Sequence, residues 1–296
     1  MTNSQPLVRL SAGNLELLVA PGTGGSIAAF NLVDANGKHC IFRGSDGVPE
    51  MVLDAGSFPL VPYSNRIRDG RFTFRGRQVT IARNMKGDAS PLHGDGWMGA
   101  WDTVSVSDRD CELLFSHASG EWPWSYEARQ FFELDASGLT LRLACRNLSA
   151  DPMPCGLGLH PYFQCTPETV LDTKVTHAWT INEKVLPVEK VAAEGRYDLS
   201  ERRVCGQELD NGFAGWGGSC LIRTPGAPFE ISLRSSDADF FQLYSPKEGG
   251  IFVAEPVTHA NAALNEPEER WPELGLRVLN PGQDMALTAR FEITQV

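Results

Sequence analysis

The sequence predicts an all-β protein, a single large antiparallel β-sandwich spanning residues 1–296. Three observations carry this expectation. Apolar and polar residues alternate in short runs, at the period of a strand. The runs recur at roughly 8- to 15-residue intervals, separated by glycine, aspartate and proline. No stretch sustains a helical apolar period over several turns.

Taken in order, Phe72/Phe74 and Val79/Ile81 flank Arg75-Gly76-Arg77, a hairpin pattern. Val104/Val106 and Leu113/Phe115 flank Asp108-Arg109-Asp110 in the same way. Ala128, Gln130, Phe132 and Leu134 alternate ahead of Asp135-Ala136-Ser137-Gly138, and Leu139, Leu141, Leu143 and Cys145 alternate after it. Further runs are Phe229/Ile231/Leu233, Ile251/Val253 and Met285/Leu287/Ala289/Phe291/Ile293. Each is expected to lay its apolar set on one face of a sheet. The long connections are 58–68, 86–101, 156–164, 209–218 and 255–271, where functional residues are expected.

Length and charge narrow the function classes. A chain of 296 residues suggests about two domains, but the strand pattern favours one. Lys and Arg number 26 against 37 Asp and Glu, a net charge of −11. That balance argues against nucleic-acid and anionic-membrane partners. Met1–Pro6 has neither a basic stretch nor an apolar one, and no apolar run approaches about 20 residues, so a cytoplasmic protein is expected. The seven cysteines are scattered without a Cys-x-x-Cys pair and read as free thiols.

Several polar residues are unusual for a sheet protein. In Cys155-Gly-Leu-Gly-Leu-His160, an extended chain puts Gly156, Gly158 and His160 on one face, a floor nearly free of side chains beside an imidazole. The structural alternative is a hydrogen-bonded histidine at a strand end. Glu255 closes Ile251-Phe-Val-Ala-Glu255 ahead of Pro256. A carboxylate ending a buried strand has a raised pKa, as a general base near neutrality requires. Otherwise the strand ends there and Glu255 reaches water. His93 sits in a glycine-bent loop with Trp97 and Trp101 nearby, rings suited to stacking on sugars or to covering a core edge. Two prolines stiffen 58–68 and present Asn65 and Arg66, a planar donor for hydroxyls or carboxylates. Leu209–Trp216 reads as a turn bearing an exposed Asp210 and Trp216. There is no Gly-x-Ser-x-Gly elbow, no phosphate loop and no His-Glu-x-x-His, and no metal site is expected from His93 and His160.

Five motifs occur together in one order: Asn65-Arg66-Ile67 with Gly70, Leu92-His93-Gly94, Gly158-Leu159-His160-Pro161-Tyr162-Phe163, Leu209-Asp210-Asn211-Gly212-Phe213, and Ala254-Glu255-Pro256 followed by Asn265. In this the chain resembles the aldose 1-epimerase (galactose mutarotase) family. The resemblance implies a β-supersandwich with an open sugar cleft. It also implies interconversion of sugar anomers through the open-chain aldehyde, without a cofactor. By this likeness Glu255 is the general base, His160 the general acid, His93 an assisting hydrogen-bond partner near the ring oxygen, and Arg66 and Asp210 ligands of sugar hydroxyls, beside Asn65. The chain departs from the pattern at Asn261-Ala262, where a Pro-Asp-Ala-type stretch is common; nearby His259 reads as a surface-loop histidine.

The leading expectation is therefore a mutarotase for a free hexose such as galactose or glucose, acting as a monomer or homodimer. A hexose 6-phosphate substrate would need further cations, with Arg68, Arg71 and Lys86 as candidates by position. A non-catalytic sugar-binding protein on the same fold is the third reading.

Overall fold

The computed structural model describes residues 5–296. Its strands form a nine-stranded, an eight-stranded and a four-stranded sheet, with two further strand pairs. The ladders that build the large sheets are antiparallel. The fold class read from the alternation is the one observed.

The long hairpin forms in the expected register, with Leu134 opposite Leu139 and Asp135 opposite Gly138. Its alternating set, including Gln130, is buried. The strand Asp284–Gln295 lies between Gly138–Asn147 and Phe229–Arg234, so its apolar face is flanked on both edges. Arg75 and Gly76 form the turn of the first hairpin, both at positive φ (49° and 78°). Phe42 of the four-stranded sheet joins the layers. Its ring meets Phe291 of the nine-stranded sheet and Phe163 of the eight-stranded one edge-on, at 4.9 and 5.3 Å.

Three local expectations are corrected. Val104 and Val106 are 48% and 52% exposed: their strand is the edge of the nine-stranded sheet, and a register shift between Thr103 and Ser105 breaks its alternation. Leu209–Ala214 is a strand inside the eight-stranded sheet, not a turn. Trp216 beyond it is buried and donates its indole N–H to Thr173 Oγ1 at 2.7 Å. The Glu255 strand runs on to Val257, so Glu255 sits inside a ladder and not at its end.

Candidate active site

The eight-stranded sheet brings the chemistry-bearing residues into one transverse row. Gly212 pairs with Gln242, and Gln242 with Glu255. On the far side of Glu255, Gly158 faces Val257 and Tyr162 faces Val253. An antiparallel register advances one strand as it retreats along the other, so His160 falls opposite Glu255. Leu60 faces Gly158 and Pro59 faces Leu159, which puts Phe58 opposite His160. Opposed residues project from the same face of a sheet. The row therefore aligns a glycine, an amide, a carboxyl, an imidazole and a phenyl ring.

His160 Nε2 stands 3.5 Å from Glu255 Oε1, and the two residues are only 8% and 3% exposed. Phe58 stacks on the imidazole, centroids 4.3 Å apart at 15°, and its carbonyl accepts the His160 N–H at 3.1 Å. The Tyr162 ring lies beside it, centroids 4.8 Å apart and tilted by 52°. His160 Nδ1 and Glu255 Oε2 are buried with no hydrogen-bond partner among the described residues. Unpaired buried polar atoms are rare, and two on facing residues mark a place where strain or function outweighs stability.

Burial pushes the Glu255 carboxyl well above its usual range; the Asp210 charge adds to this and Arg66 opposes it. Burial lowers the His160 imidazole to about 3, against the effect of its backbone hydrogen bond. Both directions favour the uncharged forms, a protonated carboxyl beside a neutral ring.

Around this pair lies a polar wall. Arg66 donates from Nε to Asp88 Oδ2 at 3.0 Å and from Nη1 to Asn65 Oδ1 at 3.2 Å, and its Nη2 is ion-paired with Asp88 Oδ2 at 2.8 Å. Its Nη1 is 3.7 Å from Asp210 Oδ2, while Gln242 donates to Asp210 Oδ1 at 2.6 Å. Burial raises the Asp210 pKa, opposed by Arg66 and by Gln242. His93 Nδ1 accepts the Asn65 N–H at 3.0 Å. An amide N–H only donates, so Nδ1 is bare. Burial keeps the ring neutral, so its proton sits on Nε2, which can donate into the cleft.

Glu255, His160, His93, Arg66, Asp210 and Asn65 all line one cleft of about 420 Å³, a volume suited to one small ligand. A neighbouring cavity of about 430 Å³ shares Arg43 and Ile251 but has no carboxylate or imidazole in its wall. The carboxylates and imidazoles belong to the first. Asp88 and Gln242, which anchor Arg66 and Asp210, were not singled out from the sequence. Gln242 had a legible signal, a lone amide in the apolar strand Phe240-Phe-Gln-Leu-Tyr244.

Other expectations are overturned. The glycines beside His160 do not open a floor to ligand. A Cβ on Gly156 would meet His259 Cδ2 at 1.9 Å, and one on Gly158 would meet Leu60 and Val257 at 2.8 Å. His259 is buried, 2% exposed, rather than in a surface loop. Trp97 borders the cleft, but Trp101 is in the core against Phe115. Arg68, Arg71 and Lys86 do not line the cleft.

Comparison with known proteins agrees with this architecture. The aldose 1-epimerase family model matches residues 6–292. YphB of Escherichia coli K12, an uncharacterized protein, is 34% identical over 232 residues, covering 74% of this chain and 78% of YphB. YihR of the same organism, also uncharacterized, is 26% identical over 225 residues, 70% of each chain. A crystal structure from Escherichia coli K12, provisionally named an aldose 1-epimerase, superposes with a TM-score of 0.87 at 30% identity, covering 98% of this chain and 99% of that one. The galactose 1-epimerase of Lactobacillus acidophilus NCFM shares the fold, with a TM-score of 0.77 at 14% identity over 100% and 96% of the two chains. Since the family model runs along nearly the whole sequence, this chain belongs to the aldose 1-epimerase family, isomerases that act on carbohydrates.

Proposed function

We propose that the protein interconverts the α and β anomers of a free hexose such as galactose or glucose. Ring opening removes the proton from O1 and delivers one to O5 as the C1–O5 bond breaks. Glu255 takes the first and His160 gives the second; on closure to either face of the aldehyde they exchange roles. The observation that carries this reading is the facing, buried Glu255–His160 pair, each with a polar atom unpartnered among the described residues.

The free site favours its shared proton on the carboxyl, whereas the reaction needs Glu255 bare and His160 charged. These forms differ by one proton moved across the 3.5 Å gap. Sugar hydroxyls donating to the carboxylate stabilise its charged form, so substrate binding drives that transfer. His93 Nε2–H is the donor toward the ring oxygen, and Arg66 with Asp210 orients the remaining hydroxyls. A phosphorylated substrate finds less support. Arg66 is paired with Asp88, and Arg43 lies 4.3 Å over the Tyr162 ring with its guanidinium donating to the Leu53 carbonyl.

Polarimetry on fresh α-D-galactose and α-D-glucose tests the proposal. Wild type should speed relaxation of at least one, and Glu255→Gln should lower kcat by about 100-fold or more, the scale of a lost general base. Relaxation no faster with protein than without refutes it.

A further inference from the structure

The loop that follows the Glu255 strand reaches back to the segment that carries Arg66. His259 Nε2 accepts the Ser64 N–H at 2.9 Å, Asn261 Oδ1 the Arg66 N–H at 3.2 Å, and Asn265 Oδ1 the Arg68 N–H at 2.7 Å. Residues 64–68 are not a strand, since Asn65 is left-handed and Arg68 opens a 3-10 turn. Three side chains take up these backbone donors, as a neighbouring strand would in a sheet. The intervening Asn65 turns its N–H the opposite way, to His93 Nδ1. The segment is thereby held from both sides at the residue that carries the guanidinium.

Each clamp also ties in other backbone. Asn261 Nδ2 donates to the Val185 carbonyl at 2.9 Å, and Asn265 Nδ2 to the Arg71 carbonyl at 2.7 Å. His259 Nδ1 lies 2.8 Å from the Ala260 carbonyl. A carbonyl only accepts and the Ser64 amide only donates, so the tautomer is settled: Nδ1 carries the proton and Nε2 is bare. Gly156 gives the ring its room, since any Cβ there would strike it. Asn65 sits at φ 59°, in the left-handed region that asparagine adopts more readily than most side-chain-bearing residues.

We infer that His259, Asn261 and Asn265 are positioning residues that hold Arg66 at the cleft wall, and that His259 is an internal acceptor, not a sugar contact. The kinetic part rests on the mutarotase reading. Arg66 contacts to hydroxyls act on ground state and transition state alike, so loosening the clamp raises KM and largely spares kcat.

His259→Phe keeps a ring and removes both nitrogens. KM for galactose should rise about tenfold with kcat within about threefold, and His259→Gln, which retains an acceptor, should restore most of the loss. Asn261→Leu against Asn261→Asp repeats the contrast if His259→Phe does not fold. In an Arg66→Ala background neither damaging variant should raise KM further. An equal KM rise in that background, a fall in kcat at constant KM, or His259→Gln as impaired as His259→Phe overturns the inference. Amide hydrogen exchange decides it without catalysis: Ser64 and Arg66 should be protected in wild type and exposed in the damaging variants. Fast exchange at both in wild type overturns the clamp; wild type inactive on every sugar refutes only the mutarotase reading.

Discussion

Replacing His259 by glutamine should make stability less sensitive to acid. Burial lowers the His259 imidazole to about 4, against the effect of the Ala260 carbonyl. In the unfolded chain the same ring titrates at its ordinary value, about 6.5. Between these values the unfolded state binds a proton that the native state refuses, so this group's effect on stability worsens as pH falls. At pH 7 the penalty is small. It reaches about 2 kcal/mol at pH 5 and about 3 kcal/mol at pH 4, from about 1.4 kcal/mol per pH unit. Glutamine keeps an acceptor for Ser64 and does not titrate. The remaining ionisable groups are common to both proteins and cancel in the difference. Urea unfolding of wild type and His259→Gln at about pH 7 and pH 5 measures it. The stability gap should shift by about 2 kcal/mol in favour of the variant. A gap constant to within about 0.5 kcal/mol would refute the neutral, buried acceptor.

Two further outcomes follow from the acid–base row. Because burial holds His160 near 3, kcat/KM should show no inflection near 6.5 that belongs to this ring; one there, traced to His160 by substitution, contradicts the assigned electrostatics. Phe58→Leu removes the ring stacked on His160; stability should fall by about 1–2 kcal/mol and kcat by about tenfold, and an unchanged kcat means the stack does not orient the imidazole.

Period-2 alternation revealed the sheets where a strand has one face in the core and the other partly exposed, as in 126–145. It failed at Asp102–Val106, where an edge position and a register shift uncouple sequence period from burial. The candidate site was legible residue by residue, since His160, Glu255, His93, Arg66, Asp210 and Asn65 are polar groups beside glycine, proline or apolar runs. Their joint placement was not, because it depends on which strands become neighbours over separations of about a hundred residues. The glycines misled for the same reason. Gly156, between two short strands, marks a close approach, but the approaching group is His259 from a loop distant in sequence.

Both members of the facing pair precede a proline, His160-Pro161 and Glu255-Pro256. The N–H groups of His160 and Tyr162 point away from the Glu255 strand, to Phe58 and Gly56. By alternation the Pro161 nitrogen faces that strand. Thr258 donates to Leu157, so the Pro256 nitrogen, two residues earlier, faces the His160 strand. Proline has no N–H, and each ring therefore deletes a donor that would have closed the ladder between the acid and the base. The observed pairing stops on either side, at Gly158–Val257 and Tyr162–Val253. A residue before proline is also held extended, which suits both side chains to project from one face. Two X-Pro steps at facing positions thus interrupt the sheet where the imidazole and the carboxyl meet, and the strands on both sides keep them in register.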